Sequence, residues 1–169
     1  MKIPELETPR LRMRAFRSSD LDAFAAMSAD EEVMRYIGTG AALKPPDAWR
    51  SMAFFLGHWQ LLGHGMWALE SKETGELIGR AGFLQPEGWP GFELGWLLSR
   101  SHWGLGYARE AAKAALRFAF ETLNRDRVIS LIRPANARSI KLAISLGYAL
   151  VGELELLGGK VLVYEIHAP

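Results

Sequence analysis

The stretch LRMRAF, Leu11 to Phe16, alternates apolar and basic residues, and that period of two predicts a strand with one face buried. Behind it the period lengthens. Ser18-Ser19-Asp20 offers a helix cap, Leu21, Phe24, Ala25 and Met27-Ser28 follow at helical spacing, and Glu31 to Ile37 make a second short helix. GTGAALKPPD reads as a loop ending in a cap at Asp47. From Ala48 to about Leu62 the pattern is again helical, with Trp49, Met52, Phe54, Phe55, Leu56 and Trp59 packed into one segment.

MWALES (66–71) and LIGRAGFL (77–84) flank the turn residues Thr74-Gly75 and predict a hairpin. GFELGWLLS (91–99) follows the turn QPEGWP and adds a third antiparallel strand. Arg109 to Leu123 is helical, and Ala108, Ala111, Ala112, Ala115 and Ala119 set small side chains on one stripe, which lets a helix approach a sheet closely. VISLIR (128–133) is a strand, and Asn136 to Leu146 is a helix stopped by Gly147. Two last strands, Tyr148 to Leu154 and Lys160 to Ile166, meet at Gly158-Gly159. No repeat, linker or low-complexity segment divides the chain, so one domain over residues 1–169 is expected, of α+β class.

Composition narrows the function. With 20 basic and 19 acidic side chains the net charge is +1, which gives no global field to hold a nucleic-acid backbone or an anionic membrane; an anion site has to be local. Cysteine is absent, which excludes a disulfide framework, a thiolate metal site and a cysteine nucleophile, and fits a reducing cytoplasm. MKIPELETPRLRMRAF has no apolar signal core, and no membrane-length apolar run follows, so a cytoplasmic protein is expected. His58, His64, His102 and His167 show no HxH, HxxxH or HExxH spacing, and no metal is expected.

The candidate chemistry lies at SHWGLGYAREA, Ser101 to Ala111, a strand-to-helix turn with two glycines between two aromatics. It admits two readings: a tight turn, or a cradle in which glycine backbone and a helix N-terminus converge on an anion. GxxxxGK[ST] is absent, and GxGxxG fails at Arg109, so neither a P-loop nor a dinucleotide fold is indicated.

WGLGYAREA, preceded by FELGWLLS and followed by NARSIKLAISLGY, resembles the GNAT superfamily of N-acetyltransferases. The resemblance is to the branch of the ribosomal-protein N-terminal acetyltransferases in particular. LETPRLRMRAFRSSD and EEVMRYIG look like the same branch, so the resemblance covers nearly the whole chain. It implies a mixed, mostly antiparallel sheet of about six to seven strands flanked by helices. One strand, here FELGWLLS, is bulged and splayed from the next, so that the pantetheine arm of acetyl-CoA inserts between them.

The family's Q/R-x-x-G-x-G/A loop falls on Ser101 to Gly106, with Ser101 in place of Gln or Arg; backbone amides there bind the pyrophosphate. The coenzyme positions so implied are Leu97, Leu98 and Ser99 on the strand; Trp103, Gly104, Leu105, Gly106, Tyr107 and Ala108 on the loop; and Asn136 and Ser139 on the later helix. Leu97 and Leu98 are the expected backbone donors. Arg109, Lys113 and Arg117 form a basic stripe whose near end would reach the 3′-phosphate, the rest being a solvated face.

Glu93 interrupts an apolar strand. It is either an exposed strand position or a carboxylate that accepts the amine proton. The tyrosine that many relatives carry seven residues after Asn136 is Ala143 here, so Ser139 becomes the candidate proton donor to the leaving thiolate. An acidic residue of the branch falls by count on Gly158, which leaves the carboxylate role with Glu93, and with Glu153 or Glu155 as substitutes. Trp49, Phe55, Trp59 and Trp89 are either core or the rim of an acceptor pocket.

The resemblance implies direct acetyl transfer to a primary amine in a ternary complex, since no cysteine can carry the acetyl group. By the resemblance the acceptor is a protein N-terminus, such as that of a ribosomal protein; the alternative is a small-molecule amine, be it a simple amine, an amino acid or an antibiotic. A catalytically silent CoA-binding module of the same fold, and a monomer or a homodimer, remain compatible with the sequence.

Overall fold

The computed structural model describes residues 2–169. Leu6–Glu7 (β1) and Leu11–Arg14 (β2) form a short hairpin, followed by helices Leu21–Ala29 (α1), Glu31–Met34 (α2) and Pro45–Leu62 (α3). The meander Met66–Ser71 (β3), Leu77–Leu84 (β4) and Glu93–Leu98 (β5) comes next, then Tyr107–Arg117 (α4), Arg127–Ile132 (β6), Ala137–Leu146 (α5), Ala149–Leu156 (β7) and Gly159–His167 (β8). The eight strands make one sheet in the order β1-β2-β3-β4-β5-β6-β8-β7. Every described pairing is antiparallel except β5 with β6, which α4 connects as a crossover and which is parallel.

Both faces of the sheet are covered. β3 is buried along its whole length because alternation sends Trp67 and Leu69 into the core under α4, while Met66 and Ala68 meet Phe24, Met52 and Phe55 from α1 and α3. The alanine stripe explains the closeness of α4: Ala111, Ala112, Ala115 and Ala119 have no solvent exposure. Trp59 fills the gap left by Gly65, where a Cβ would sit 2.7 Å from the indole, and its Nε1–H donates to the Met66 carbonyl at 2.9 Å.

Several elements differ from expectation for identifiable reasons. α3 begins at Pro45, not after a cap at Asp47, because prolines fit a helix's first turn, where no intrahelical N–H partner is needed. The helix expected over Arg109 to Leu123 starts earlier, at Tyr107. It then opens at Phe118–Thr122 into a π turn, closed by Leu123 N–H on the Phe118 carbonyl at 3.0 Å. That wider turn seats Phe118 edge-on against Trp67, with centroids 5.3 Å apart.

Alternation on the first strand would expose Arg14, yet it is buried. Its guanidinium makes a bidentate pair with Asp20, both bonds 2.8 Å, and its Nε donates to Glu70. Asp20 therefore serves as an ion-pair partner, with no side-chain cap bond to α1. The expected bulge in the FELGWLLS strand is not there: pairing of β4 with β5 runs unbroken from Gly79–Leu98 to Leu84–Glu93. The register shifts fall instead at Leu69/Glu70 and Leu150/Gly152. The splay is present, since β5 and β6 pair at a single position, Glu93 with Ile129. Among the described residues no helix is long and apolar enough to cross a membrane.

Candidate active site

Where β5 and β6 part, a cleft of about 400 Å³ opens. Its walls include Leu97, Leu98, Trp103, Gly104, Gly106, Tyr107, Ala108, Asn136 and Ser139, together with Tyr36 and Ile37. Gly104 and Gly106 have φ of +75° and +84°, left-handed values that explain why glycine stands there. A Cβ on Gly104 would meet nothing within 4 Å, so the loop presents bare backbone to the cleft. Among the described residues no side chain caps α4, whose first-turn N–H groups lack intrahelical acceptors; such an end attracts an anion.

The loop is held from behind. Arg10 donates to the Leu105 carbonyl at 2.9 Å, pairs with Glu110 at 2.7 Å and stacks over the Tyr107 ring at 4.2 Å. Trp103 donates to the Leu98 carbonyl at 2.9 Å, while the Arg138 guanidinium lies 3.7 Å over its ring. Both aromatics thus anchor the turn. Two expected residues stand off the wall. Ser99 spends its hydroxyl on His102 Nδ1 at 2.6 Å, and Leu105 is exposed, with its carbonyl tied to Arg10.

The backbone donors also need reassignment. Ser99 N–H donates to the Ile78 carbonyl, so by antiparallel alternation the Leu97 N–H faces β4 as well; the amides of Trp96 and Leu98 face the gap toward β6. On the far side Asn136 caps α5 by accepting from Ser139 N–H at 3.2 Å. The Ser139 hydroxyl accepts from Trp96 Nε1 at 3.3 Å.

A second cleft of about 210 Å³ shares Tyr36, Ile37, Trp96 and Ser139 with the first, and holds Glu93. Its loop wall is tied by Arg133, which donates to the carbonyls of Gly38 at 3.0 Å and Leu157 at 3.2 Å. Glu93 is buried, which settles its alternation: it does not face solvent. Burial raises its carboxyl to a pKa of about 7, against hydrogen bonds from Trp89 Nε1 and the Leu131 N–H and the charge of Arg80, which pull it down. Such a group takes up a proton at neutral pH.

Of the aromatics considered for the pocket, Phe55 and Trp59 are core, Trp49 is exposed, and Trp89 reaches the site through its bond to Glu93. Arg109 lines the larger cleft, while Lys113 and Arg117 lie on the exposed face of α4. Glu153 belongs to an exposed pair with Lys160. No group of three or more His, Cys, Asp or Glu side chains is gathered for a metal among the described residues. The buried ring of His58 has both nitrogens engaged, one with the His64 carbonyl and one with Gln85 N–H.

A crossover joining two parallel strands that then separate, with an open glycine turn at the mouth of the gap, defines the GNAT fold. Comparison with known proteins gives the same result. The acetyltransferase (GNAT) domain family matches residues 10–149. The chain is 33% identical over 151 residues to the uncharacterized N-acetyltransferase p20 of Bacillus licheniformis, covering 88% of this chain and 84% of p20. It is 35% identical to an acetyltransferase from Agrobacterium tumefaciens str. C58 of known structure, with a TM-score of 0.88 over 99% of this chain and 96% of that one. The ribosomal L7/L12 alpha-N-protein acetyltransferase RimL, solved with coenzyme A, shares the fold at a TM-score of 0.79 and 18% identity, over 99% of this chain and 98% of that one. The chain belongs to the GNAT acetyltransferase family, whose members use acetyl-CoA.

Two residues of this site escape a reading of the sequence. Arg10 reaches the loop across 95 residues, and no local pattern marks it. Arg80 has a signal, a lone charge inside the apolar strand LIGRAGFL, of the same kind that marks Glu93.

Proposed function

We propose that this protein is an acetyl-CoA-dependent N-acetyltransferase in which a primary amine attacks the thioester directly. The observation that carries the reading is the meeting of the two clefts at Trp96 and Ser139, with Glu93 in the smaller one. In this reading the first-turn amides of α4 and the Gly104–Gly106 backbone hold the pyrophosphate, as the openness of Gly104 and the absence of a cap permit. The gap-facing amides of Trp96 and Leu98 pair with the pantetheine arm, and one of them polarises the thioester carbonyl. Asn136 and Ser139 border the same arm.

Bound acetyl-CoA supplies an activated acetyl group. Glu93, in its ionised form, accepts the proton the amine must lose, directly or through water, as the carbon–nitrogen bond forms and the carbon–sulfur bond breaks. Ser139 offers its hydroxyl hydrogen to the departing sulfur. A thiolate whose conjugate thiol has a pKa of about 8.5 needs little more assistance.

Resemblance to the ribosomal-protein branch suggests a protein N-terminus as acceptor, and ribosomal-protein acetyltransferases share the fold at low identity. The small volume of the Glu93 cleft and its Arg133-tied loop favour a second reading, a small-molecule amine. Calorimetric titration with acetyl-CoA, with NAD and ATP as controls, followed by thiol-release assays on peptide and small-amine panels, tests the proposal. Micromolar binding of acetyl-CoA alone, with turnover on either panel, supports it; no acetyl-CoA binding overturns it.

A further inference from the structure

Arg80 projects from β4 into the interior, where Glu93 supplies an opposing charge but no ion pair among the described residues. It is buried, and its hydrogen bond is to the Met66 thioether at 3.5 Å, a weak acceptor. Among the described residues it forms no ion pair; its other contact is the face of Phe55, 5.1 Å from the ring centroid. A guanidinium carries five N–H donors, and burying one without a carboxylate costs several kcal/mol, on the order of an uncompensated buried charge. Burial lowers its pKa to about 10, with Glu93 opposing, so it stays a cation at neutral pH.

Arg80 lines two cavities: the Glu93 cleft, and one of about 190 Å³ that Ser28, Thr39 and Phe55 also border. Ser28, on the wall of that second cavity, is 1% exposed, and its hydroxyl has no hydrogen-bond partner. A cation without an ion pair and a hydroxyl without a hydrogen-bond partner, on two residues that line the same cavity, are donors that a carboxylate would satisfy. Ile37 and Gly38, like Arg80, line both cavities, so the two are neighbours that share a wall.

We propose that Arg80 and Ser28 form the anion subsite of the acceptor pocket, so that the acceptor is a small amine that also carries a carboxylate, an amino acid by chemical class. The proposal rests on the acetyltransferase reading above, with the amine at Glu93 and the carboxylate beyond Arg80. The opposite charges of Glu93 and Arg80 then match the two ends of a zwitterion, and the pocket discriminates against amines without an anion, which leave Arg80 without an ion pair.

The test compares free amino acids, with α, β and γ spacing of amine and carboxylate, against their carboxamides. Turnover is followed by thiol release. In parallel, calorimetry measures the binding of N-acetylamino acids and their amides to CoA-loaded protein. The expected result is a kcat/KM preference for acids over amides of at least about tenfold, falling to near one in Arg80→Met and weakening in Ser28→Ala. Arg80→Lys should keep part of the preference, which a purely structural arginine would not require. Equal use of amides by the unaltered protein, or a preference that survives in folded Arg80→Met, overturns the subsite. Should CoA bind and nothing turn over, the catalytic reading fails while the binding arm still decides. Carboxylate probes that bind the unaltered protein but not Arg80→Met sustain the subsite, and probes that bind neither overturn it. Should Arg80→Met fail to fold, Arg80→Lys and Ser28→Ala carry the comparison.

Discussion

The indole N–H of Trp96 donates to the hydroxyl oxygen of Ser139 at 3.3 Å, where the two clefts meet. Because the indole can only donate, the serine's own hydrogen is left free to point into the cleft. Ser139→Ala is expected to lower kcat about tenfold, at the weak end of general-acid effects, with the acetyl-CoA Kd changing less than about threefold. Steady-state rates and calorimetry read the two numbers. An unchanged kcat would remove Ser139 from the chemistry.

As the proposed proton acceptor, Glu93 should set the pH profile. With its pKa at about 7, kcat/KM should rise about tenfold per pH unit below that value and level off above it. The groups that act on it are Trp89, the Leu131 amide and Arg80, and its own charge helps keep the buried Tyr148 phenol protonated. Glu93→Gln should lose about a hundredfold in kcat/KM at pH 8 and flatten the profile, while Arg80→Met should move the midpoint upward. A Glu93→Gln profile that keeps its inflection would assign the titration elsewhere.

The same carboxyl makes stability depend on pH with a definite sign. Its folded pKa, about 7, lies above the ordinary 4.5, so its contribution is fully present below pH 4.5 and is lost as pH rises through 7. Relative to the unaltered protein, Glu93→Gln should therefore gain up to about 3 kcal/mol between pH 4.5 and pH 8. Urea unfolding at the two pH values measures it, and a pH-independent difference between the proteins would contradict the burial argument.

The glycine loop separates binding from folding. At Gly104 there is room for a side chain but φ is +75°, so Gly104→Ala should cost about 1 kcal/mol of stability and little affinity. Gly104→Glu adds a negative charge where the pyrophosphate is proposed to lie, and should weaken acetyl-CoA binding by at least about tenfold, equivalent to about 1.4 kcal/mol. A folded Gly104→Glu protein with the original affinity would show that the loop is a turn and nothing more.

Removing Arg14 should be the most damaging of these changes to the fold. Asp20 would stay buried with no cation and only the Arg17 N–H, while Glu70 keeps Arg12 at 3.2 Å, at a cost of about 3 kcal/mol for Arg14→Met in urea unfolding. A loss below about 1 kcal/mol would mean that the two carboxylates find water or other donors, and that the pairing is incidental.

Much of this architecture is written locally. MWALES and LIGRAGFL end where their turn residues begin, and Asn136 and Gly147 bracket α5 as cap residues do. What is not local is not legible. Arg14 looks like the outward member of an alternating strand until Asp20 and Glu70 close over it from other elements. Glu93 and Arg80 carry the same mark, one charge in an apolar strand, yet the cavities that give each its meaning are built by loops elsewhere in the chain. Which of Leu97 and Leu98 turns its amide to the gap depends on strand register, and a single bond at Ser99 decides it.

The pairing of β5 with β6 at one position has a mechanical corollary. The residue at that position is Glu93 itself, so the carboxylate sits at the pivot of the two halves of the sheet. Any breathing of those halves swings the Leu98 end and the glycine turn through the widest arc and moves Glu93 least. A long ligand can thus slip in and out at the wide end while the carboxylate proposed to accept the proton keeps its place.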